Sequence, residues 1–327
     1  MKPYLFTVAV ILCLFTSWNL ESLPLYYPHR EPGFFADGAV EGICVENPEA
    51  GFYGLVSPVG ASAVIWDPDC LTTRWSGSAG WAGKLRTCPW PMRFMAAASY
   101  FNCDFSGAQN LEDEGDVQLF AIDGGGMGGT IPATQNNFFH FSHKETQINA
   151  LVSGVCNWCD GISLYPAAGY GFICQNQSFN SQLVNFDLGD FNNGTVHETL
   201  DTTYHGVNFE LGAVKRCARC LVVTVVPFFG IYSARAEMNG VQDWGDNPMP
   251  ALHLDTQVMW EIAYRGGLRG AILWECCRYH IGVQAFADYL SFTPGLYNPR
   301  EDDEGPARIT KKNSLRFGGG LVAGCHF

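Results

Sequence analysis

The last stretch of the chain, Asn313 to Phe327, constrains the fold most. Read at period two, Leu315, Phe317, Gly319, Leu321, Ala323, Cys325 and Phe327 fall on one face, and Ser314, Arg316, Gly318, Gly320, Val322, Gly324 and His326 on the other. That is a strand with one apolar face and one small or polar face. The ends of water-soluble domains tend to be loosely held, yet here the apolar face runs to the final aromatic. Phe327 is therefore a candidate assembly signal, the last residue of a strand that must pair with another.

At the other end Lys2 precedes an apolar run from Tyr4 to Phe15, followed by Thr16, Ser17 and Asn19 and a candidate cut after Ser22. This predicts a secretory signal over residues 1–22 and a mature chain over 23–327. The run is shorter than the roughly 20 apolar residues of a spanning helix. The longest later run, Cys220 to Tyr232, is broken by Thr224 and Pro227. An exported chain of this kind in a membrane can only be a barrel. A closing strand that is apolar outside, small or polar inside and aromatic at its end resembles that of bacterial outer-membrane β-barrels. A water-soluble β-sandwich is the alternative.

Composition favours the barrel. Charged residues make up 16% of the chain, against about a quarter in ordinary soluble domains. The deficit suits a lipid-facing belt, and a mean hydropathy near zero suits strands that alternate polar with apolar. A net charge of -13 argues against nucleic acid as a partner. Of 13 cysteines, only Cys13 falls in the signal. In an exported chain the others are read as disulfides within or between molecules. The candidates are the two CxxC pairs, Cys156 with Cys159 and Cys217 with Cys220, and the adjacent Cys276 and Cys277, whose side chains point to opposite faces of a strand.

Strand signals are clearest in the second half. Val207, Phe209, Leu211 and Ala213 alternate with polar or small residues, as do Val258, Trp260, Ile262 and Tyr264, and Ile281, Val283, Ala285, Ala287 and Tyr289. Trp260, Trp274 and Tyr289 suit interfacial girdles. In a barrel the wet face lines the lumen, so Glu261, Arg265, Arg269, Glu275, His280, Gln284 and Asp288 are the candidate pore-lining residues. Both signs are present, which predicts weak selectivity.

Other motifs lead nowhere catalytic. Gly124, Gly126 and Gly129 match a dinucleotide loop, but Thr130 to Asn137 cannot supply the helix that meets the pyrophosphate. The CxxC pairs lie too far apart for one zinc module and lack the helix start of a redox centre. His140 with His143, and His253 with Asp255, have no third partner. The acidic stretches 111–116 and 298–306 do not fit calcium-loop spacing. There is no Gly-x-Ser-x-Gly elbow. The expectation is a chain with no catalytic, cofactor or metal site.

Four blocks carry a family resemblance. Leu23 and Pro24 followed by Glu31 to Gly38, Glu41 and Gly42 resemble the mature start of chlamydial major outer membrane proteins. Gly267 to Cys276, ending Trp274, Glu275, Cys276, is similar to that family's Trp-Glu-Cys segment. Cys156 to Leu164 with Gly169 to Phe172 resembles its cysteine-rich strand, and Tyr204 and His205 through Pro227 to Gly230 a later hairpin. The resemblance implies an antiparallel transmembrane barrel of about sixteen strands, pore activity, a homotrimer, and disulfide links to itself or to other cysteine-rich envelope proteins, with Cys276, Cys156 and Cys159 as carried-over positions. The expectation is an outer-membrane porin for small solutes that is also an envelope cross-linker. An exported disulfide-rich binding protein or adhesin is the alternative.

Overall fold

The computed structural model describes residues 33–46, 50–51, 55–57, 60–62, 65–66, 70–84, 91–111, 115–120, 126–131, 135–159, 162–184, 193–218, 220–243, 251–276, 278–297 and 307–327. The expected signal, residues 1–22, lies outside them, as do Cys277 and the acidic stretches 112–114 and 298–306. Ten long strands form the fold: β1 (Gly33–Val45), β2 (Cys70–Lys84), β3 (Pro91–Leu111), β4 (Gln135–Gly154), β5 (Ile162–Val184), β6 (Asn193–Arg216), β7 (Leu221–Asp243), β8 (Leu252–Cys276), β9 (Tyr279–Tyr297) and β10 (Arg308–His326). Each pairs antiparallel with its neighbours in sequence, and β10 closes on β1 from Phe35↔His326 to Val45↔Arg316. The result is an up-and-down barrel with no free edge strand. Glycine lets this closing seam approach closely: a Cβ on Gly320 would come within 1.9 Å of the Val40 carbonyl oxygen.

Ten strands, not about sixteen, close the barrel, because the strands are long. β6 has 24 residues and β8 has 25, whereas about ten tilted residues cross the hydrocarbon. Along β6 the apolar residues Val207, Phe209 and Leu211 point outward and are half exposed, while Val196, Leu200 and Tyr204, on the other parity, point inward and are buried. The same one-residue change of phase occurs on β5 between Phe172 and Ile173 and on β7 between Ile231 and Tyr232. A shift of one residue moves a hydrophobic set to the other face. One straight strand therefore reads as two short ones.

The change of phase marks a change of surroundings. In one half the outer face carries Phe209, Ile231, Trp260, Ile262, Trp274, Ile281, Val283 and Phe317, all substantially exposed. Trp260 and Trp274 stand at the two ends of this band on β8, as girdles do. In the other half the outer face is polar: His197 Nδ1 lies 2.5 Å from Asn180, Thr256 donates to Asn239 at 2.7 Å, and Arg235 pairs with Glu237 at 2.6 Å. Inside that half Phe139, Phe141, Phe179, Val196, Leu200, Met238 and Leu254 form a packed apolar core.

At the belted end the strand pairs β2 and β3, β4 and β5, β6 and β7, and β8 and β9 succeed each other across 2 to 7 residues, whereas at the other end successive strands are separated by 8 to 24. Outer-membrane barrels have short periplasmic turns and longer extracellular loops, which orients the chain: the belted half is in the membrane and the polar-coated half projects outward. Two of the long loops join in a small sheet of Leu55–Ser57, Gly60–Ser62, Gly115–Phe120 and Gly126–Ile131. Residues 126–131 are thus a strand, and no helix follows Gly124 and Gly126. The described disulfide, Cys70–Cys103, ties β2 to β3 just above their last paired residues, Arg74 and Phe101.

Candidate functional site

Inside the belted half a cavity of about 260 Å³ is lined by side chains from nearly every strand. Alternation along each strand directs them there. Glu41 on β1 and Arg74 on β2 are directly opposed in register and 2.7 Å apart. Arg265 on β8 pairs with Asp288 on β9, and Arg269 reaches past β7 to Glu210 on β6. His280 Nε2 lies 3.0 Å from Asp37, which also accepts a 3.1 Å bond from Ser78. Asn208 donates to Asn149 at 2.7 Å across the cavity wall.

Aromatic rings hold the guanidinium groups in place. Arg74 lies 3.7 Å from the centre of the Phe286 ring, and Arg269 and Arg265 share Phe228 at 4.9 and 5.4 Å. A guanidinium over a ring face gains cation–π attraction while its N–H groups stay directed at carboxylates. Arginines 74, 93, 265 and 269 face the cavity together with Asp37, Glu41, Glu210 and Asp288. Four cations balance four anions, so the chamber is close to neutral although the chain carries -13.

Toward the loops the lumen is filled. Arg316 meets Glu145 at 2.6 Å with both side chains almost fully buried, Gln175 donates to Glu145 at 2.7 Å, and the Tyr204 hydroxyl lies 2.8 Å from Gln175. Tyr204, Tyr232, Ile173, Leu290 and Phe292 pack around this network, and the apolar core lies beyond it. A barrel of about eight strands is just filled by its own side chains, and wide water-filled channels need about sixteen. Ten strands leave a chamber and a filled neck.

All seven candidate pore-lining residues occupy inward positions. The structure gathers Arg265, Arg269, His280, Gln284 and Asp288 around the cavity. Glu261 lies higher, paired with Lys311, and Glu275 lies at the periplasmic rim, paired with Arg216. Sequence reasoning missed Glu41, Arg74, Arg93 and Glu145. Their strands lack a sustained apolar alternation, so nothing in the sequence separates them from loop charges. Arg316 is visible only as one polar member of the last strand.

The candidate cysteines gather at the periplasmic rim. Cys156 is exposed and unbonded, Cys217 and Cys220 flank the β6–β7 turn as free thiols, and Cys276 ends β8. Cys159 lies beside them in the short strand Cys156–Cys159, and Cys325 pairs in register with Tyr279 at the same rim. The bonded pair, Cys70–Cys103, is one that no sequence motif marks. His140 and His143 sit on opposite faces of β4, one outward against Ser106 and one buried against Phe101, and cannot share a metal. No group of potential metal ligands occurs among the described residues.

An apolar belt around a closed antiparallel barrel defines a transmembrane barrel of the outer-membrane type, and the chain is an outer-membrane protein. No family model matches it, and no curated protein is similar to it in sequence. Among solved structures it is similar to the outer membrane protease OmpT of Escherichia coli, at 10% identity over 90% of this chain and 97% of that one, with a TM-score of 0.48. It is also similar to a Pseudomonas aeruginosa FadL homologue, at 7% identity over 90% of each chain and a TM-score of 0.23. The toluene transporter TodX of P. putida follows, at 7% identity over 94% and 93% and a TM-score of 0.20. The first of these corrects the expectation of a barrel without catalysis, because a protease stands among the barrels this chain is similar to.

Proposed function

We propose that this protein is a narrow porin, whose charged chamber admits small polar solutes from the periplasmic side and whose filled neck restricts their passage. The observation that carries this reading is the cavity of about 260 Å³ lined by opposed arginines and carboxylates inside a lipid-facing belt. Buried ion pairs cost desolvation energy that an apolar filling would avoid, and a lumen that keeps them can exchange one partner for a solute charge. Mixed signs make it weakly selective. The test is conductance in planar bilayers. Arg269→Glu, whose side chain is half exposed to the chamber, shifts the reversal potential toward cations. A purified, folded barrel that passes no current at any voltage sinks the porin reading.

The cysteine-rich rim supports a second role, as a cross-linked envelope component. Cys156, Cys217 and Cys220 face the oxidising periplasm, where thiols persist only until a disulfide partner is reached. Non-reducing gels should show large complexes that reductant dissolves, and bonds found only within single chains would end this role. The homotrimer and the kinship to chlamydial major outer membrane proteins are proposed on the Gly267 to Cys276 segment; chemical cross-linking in native membranes tests the first.

A further inference from the structure

The wall of the barrel is not paired throughout. The ladder between β8 and β9 runs from Cys276↔Tyr279 to Arg265↔Leu290 and stops there, although β8 continues to Leu252 and β9 to Tyr297. Beyond that point β8 still pairs with β7 as far as Leu252, and β9 still pairs with β10 after a register shift between Leu290 and Thr293. The two hairpins therefore part company along one seam.

What β9 does instead is written in its burial. A wall strand alternates exposed with buried, but Phe292, Thr293, Pro294, Gly295 and Leu296 are buried in succession. Both faces of this segment are covered, which places it inside the lumen. Side chains of distant strands hold its backbone: the Tyr204 hydroxyl of β6 shares its proton between Gln175 Oε1 at 2.8 Å and the Phe292 carbonyl at 3.1 Å, and Gln177 of β5 donates to the Pro294 carbonyl at 2.8 Å. Phe292 joins the aromatic layer of the neck, and Leu296 the apolar core above it.

Along the seam, side chains substitute for the ladder. The Tyr264 amide donates to Ser291 Oγ at 2.8 Å, Gln257 donates to the Ala307 carbonyl at 2.6 Å, and Glu261 pairs with Lys311. Because backbone groups alternate sides along a strand, the amides and carbonyls of Val258, Trp260 and Ile262 face the same way as that of Tyr264, toward the seam. Those three residues belong to the lipid-facing band, with Trp260 66% exposed. The Ile262 amide is held by the Glu261 carboxylate, but a strand edge without its ladder is costly in lipid, so the present arrangement competes with one in which the ladder is complete.

We propose that residues 291–297 of β9 are a movable plug, which alternates between its place in the lumen and a zipped position in the wall against β8, and thereby opens the neck. This rests on the porin reading and gives that site its regulation. Continuing the ladder by three residues sets Ile262 opposite Thr293. Pro294 does not obstruct this, since residues 291, 293 and 295 face β8 and its missing amide faces β10. The move gives up the carbonyl bonds from Tyr204 and Gln177 and the Gln257–Ala307 and Glu261–Lys311 bridges to β10, gains ladder bonds at 291, 293 and 295, and returns Phe292 and Leu296 from the middle of the neck to its wall.

Paired cysteines test it. Thr293 is fully buried in the lumen while Ile262 is 59% exposed on the outer face, so Ile262→Cys with Thr293→Cys can bond only in the zipped state. Leu268→Cys with Ala287→Cys, opposed in the existing ladder, reports that the barrel has folded. Under a mild oxidant, mass mapping should find both engineered bonds, and the 262–293 bond should raise single-channel conductance severalfold, reversed by reductant. The 268–287 bond should leave conductance unchanged. A 268–287 bond without a 262–293 bond, in barrels that conduct, overturns the plug and leaves the porin reading standing. A 262–293 bond in barrels that never conduct shows the plug moving and defeats the porin reading instead.

Discussion

Tyr170 and Asn180 lie on the same outward face of β5, ten positions apart, and meet different surroundings. Tyr170 stands in a band of exposed apolar side chains, with charged and amide side chains behind it in the lumen. Asn180 stands among hydrogen-bonded polar residues, and behind it Phe179, Leu200 and Met238 pack as in a soluble protein. The barrel is thus two proteins end to end, a membrane barrel with a wet interior and a water-soluble barrel with a dry one. Strand geometry is the same in both. What changes is which face meets a solvent that cannot hydrogen-bond, and the side chains follow. The interior divides along the same line: the belted half keeps a cavity, and the projecting half is filled.

The comparison breaks most readily where the two halves meet or in the dry core. Arg316→Met leaves Glu145 buried without its partner and should cost about 3–5 kcal/mol, while the double change with Glu145→Gln recovers much of it. Phe179→Ala should cost a similar 3–5 kcal/mol by opening a cavity in the projecting core. Urea unfolding of the detergent-solubilised barrel measures both, and a Phe179→Ala protein as stable as wild type would mean that the projecting half has no core of its own.

Losing the Cys70–Cys103 bond, which closes a loop of 33 residues, should cost about 3–4 kcal/mol on the chain-entropy model. Unfolding of Cys70→Ser with and without reductant tests this, because reductant should then have no further effect.

Val283→Arg puts a charge on the lipid face and should cost about 2–4 kcal/mol near the midplane, seen as lost heat-modifiability on gels. The smallest effect sharpens the comparison most. Asn180→Arg, the same new charge on an outward face but in the projecting half, should change stability by no more than about 0.5 kcal/mol. Equal damage from the two arginines would place both faces in lipid.

The sequence by itself determined the strands and their facing wherever one alternation holds. Val258 to Tyr264, Ile281 to Tyr289 and Leu315 to Phe327 read as strands with one apolar side, and they carry it outward. The closing role of the last strand was legible for the same reason, as was the inward set from Arg265 to Asp288. Alternation is a local property, and local chemistry is enough to choose a face. Only the tertiary structure decided how many strands close the ring: the resemblance implied about sixteen, and strands of up to 25 residues, whose phase of alternation changes within β5, β6 and β7 where lipid gives way to water, close it with ten. It also decided which charges meet. Glu145 and Arg316 are 171 residues apart in sequence and 2.6 Å apart in the lumen. The run from Phe292 to Leu296 left the wall for the same class of reason: its burial is set by Tyr204 and Gln177 on far strands, and no pattern within those residues records them.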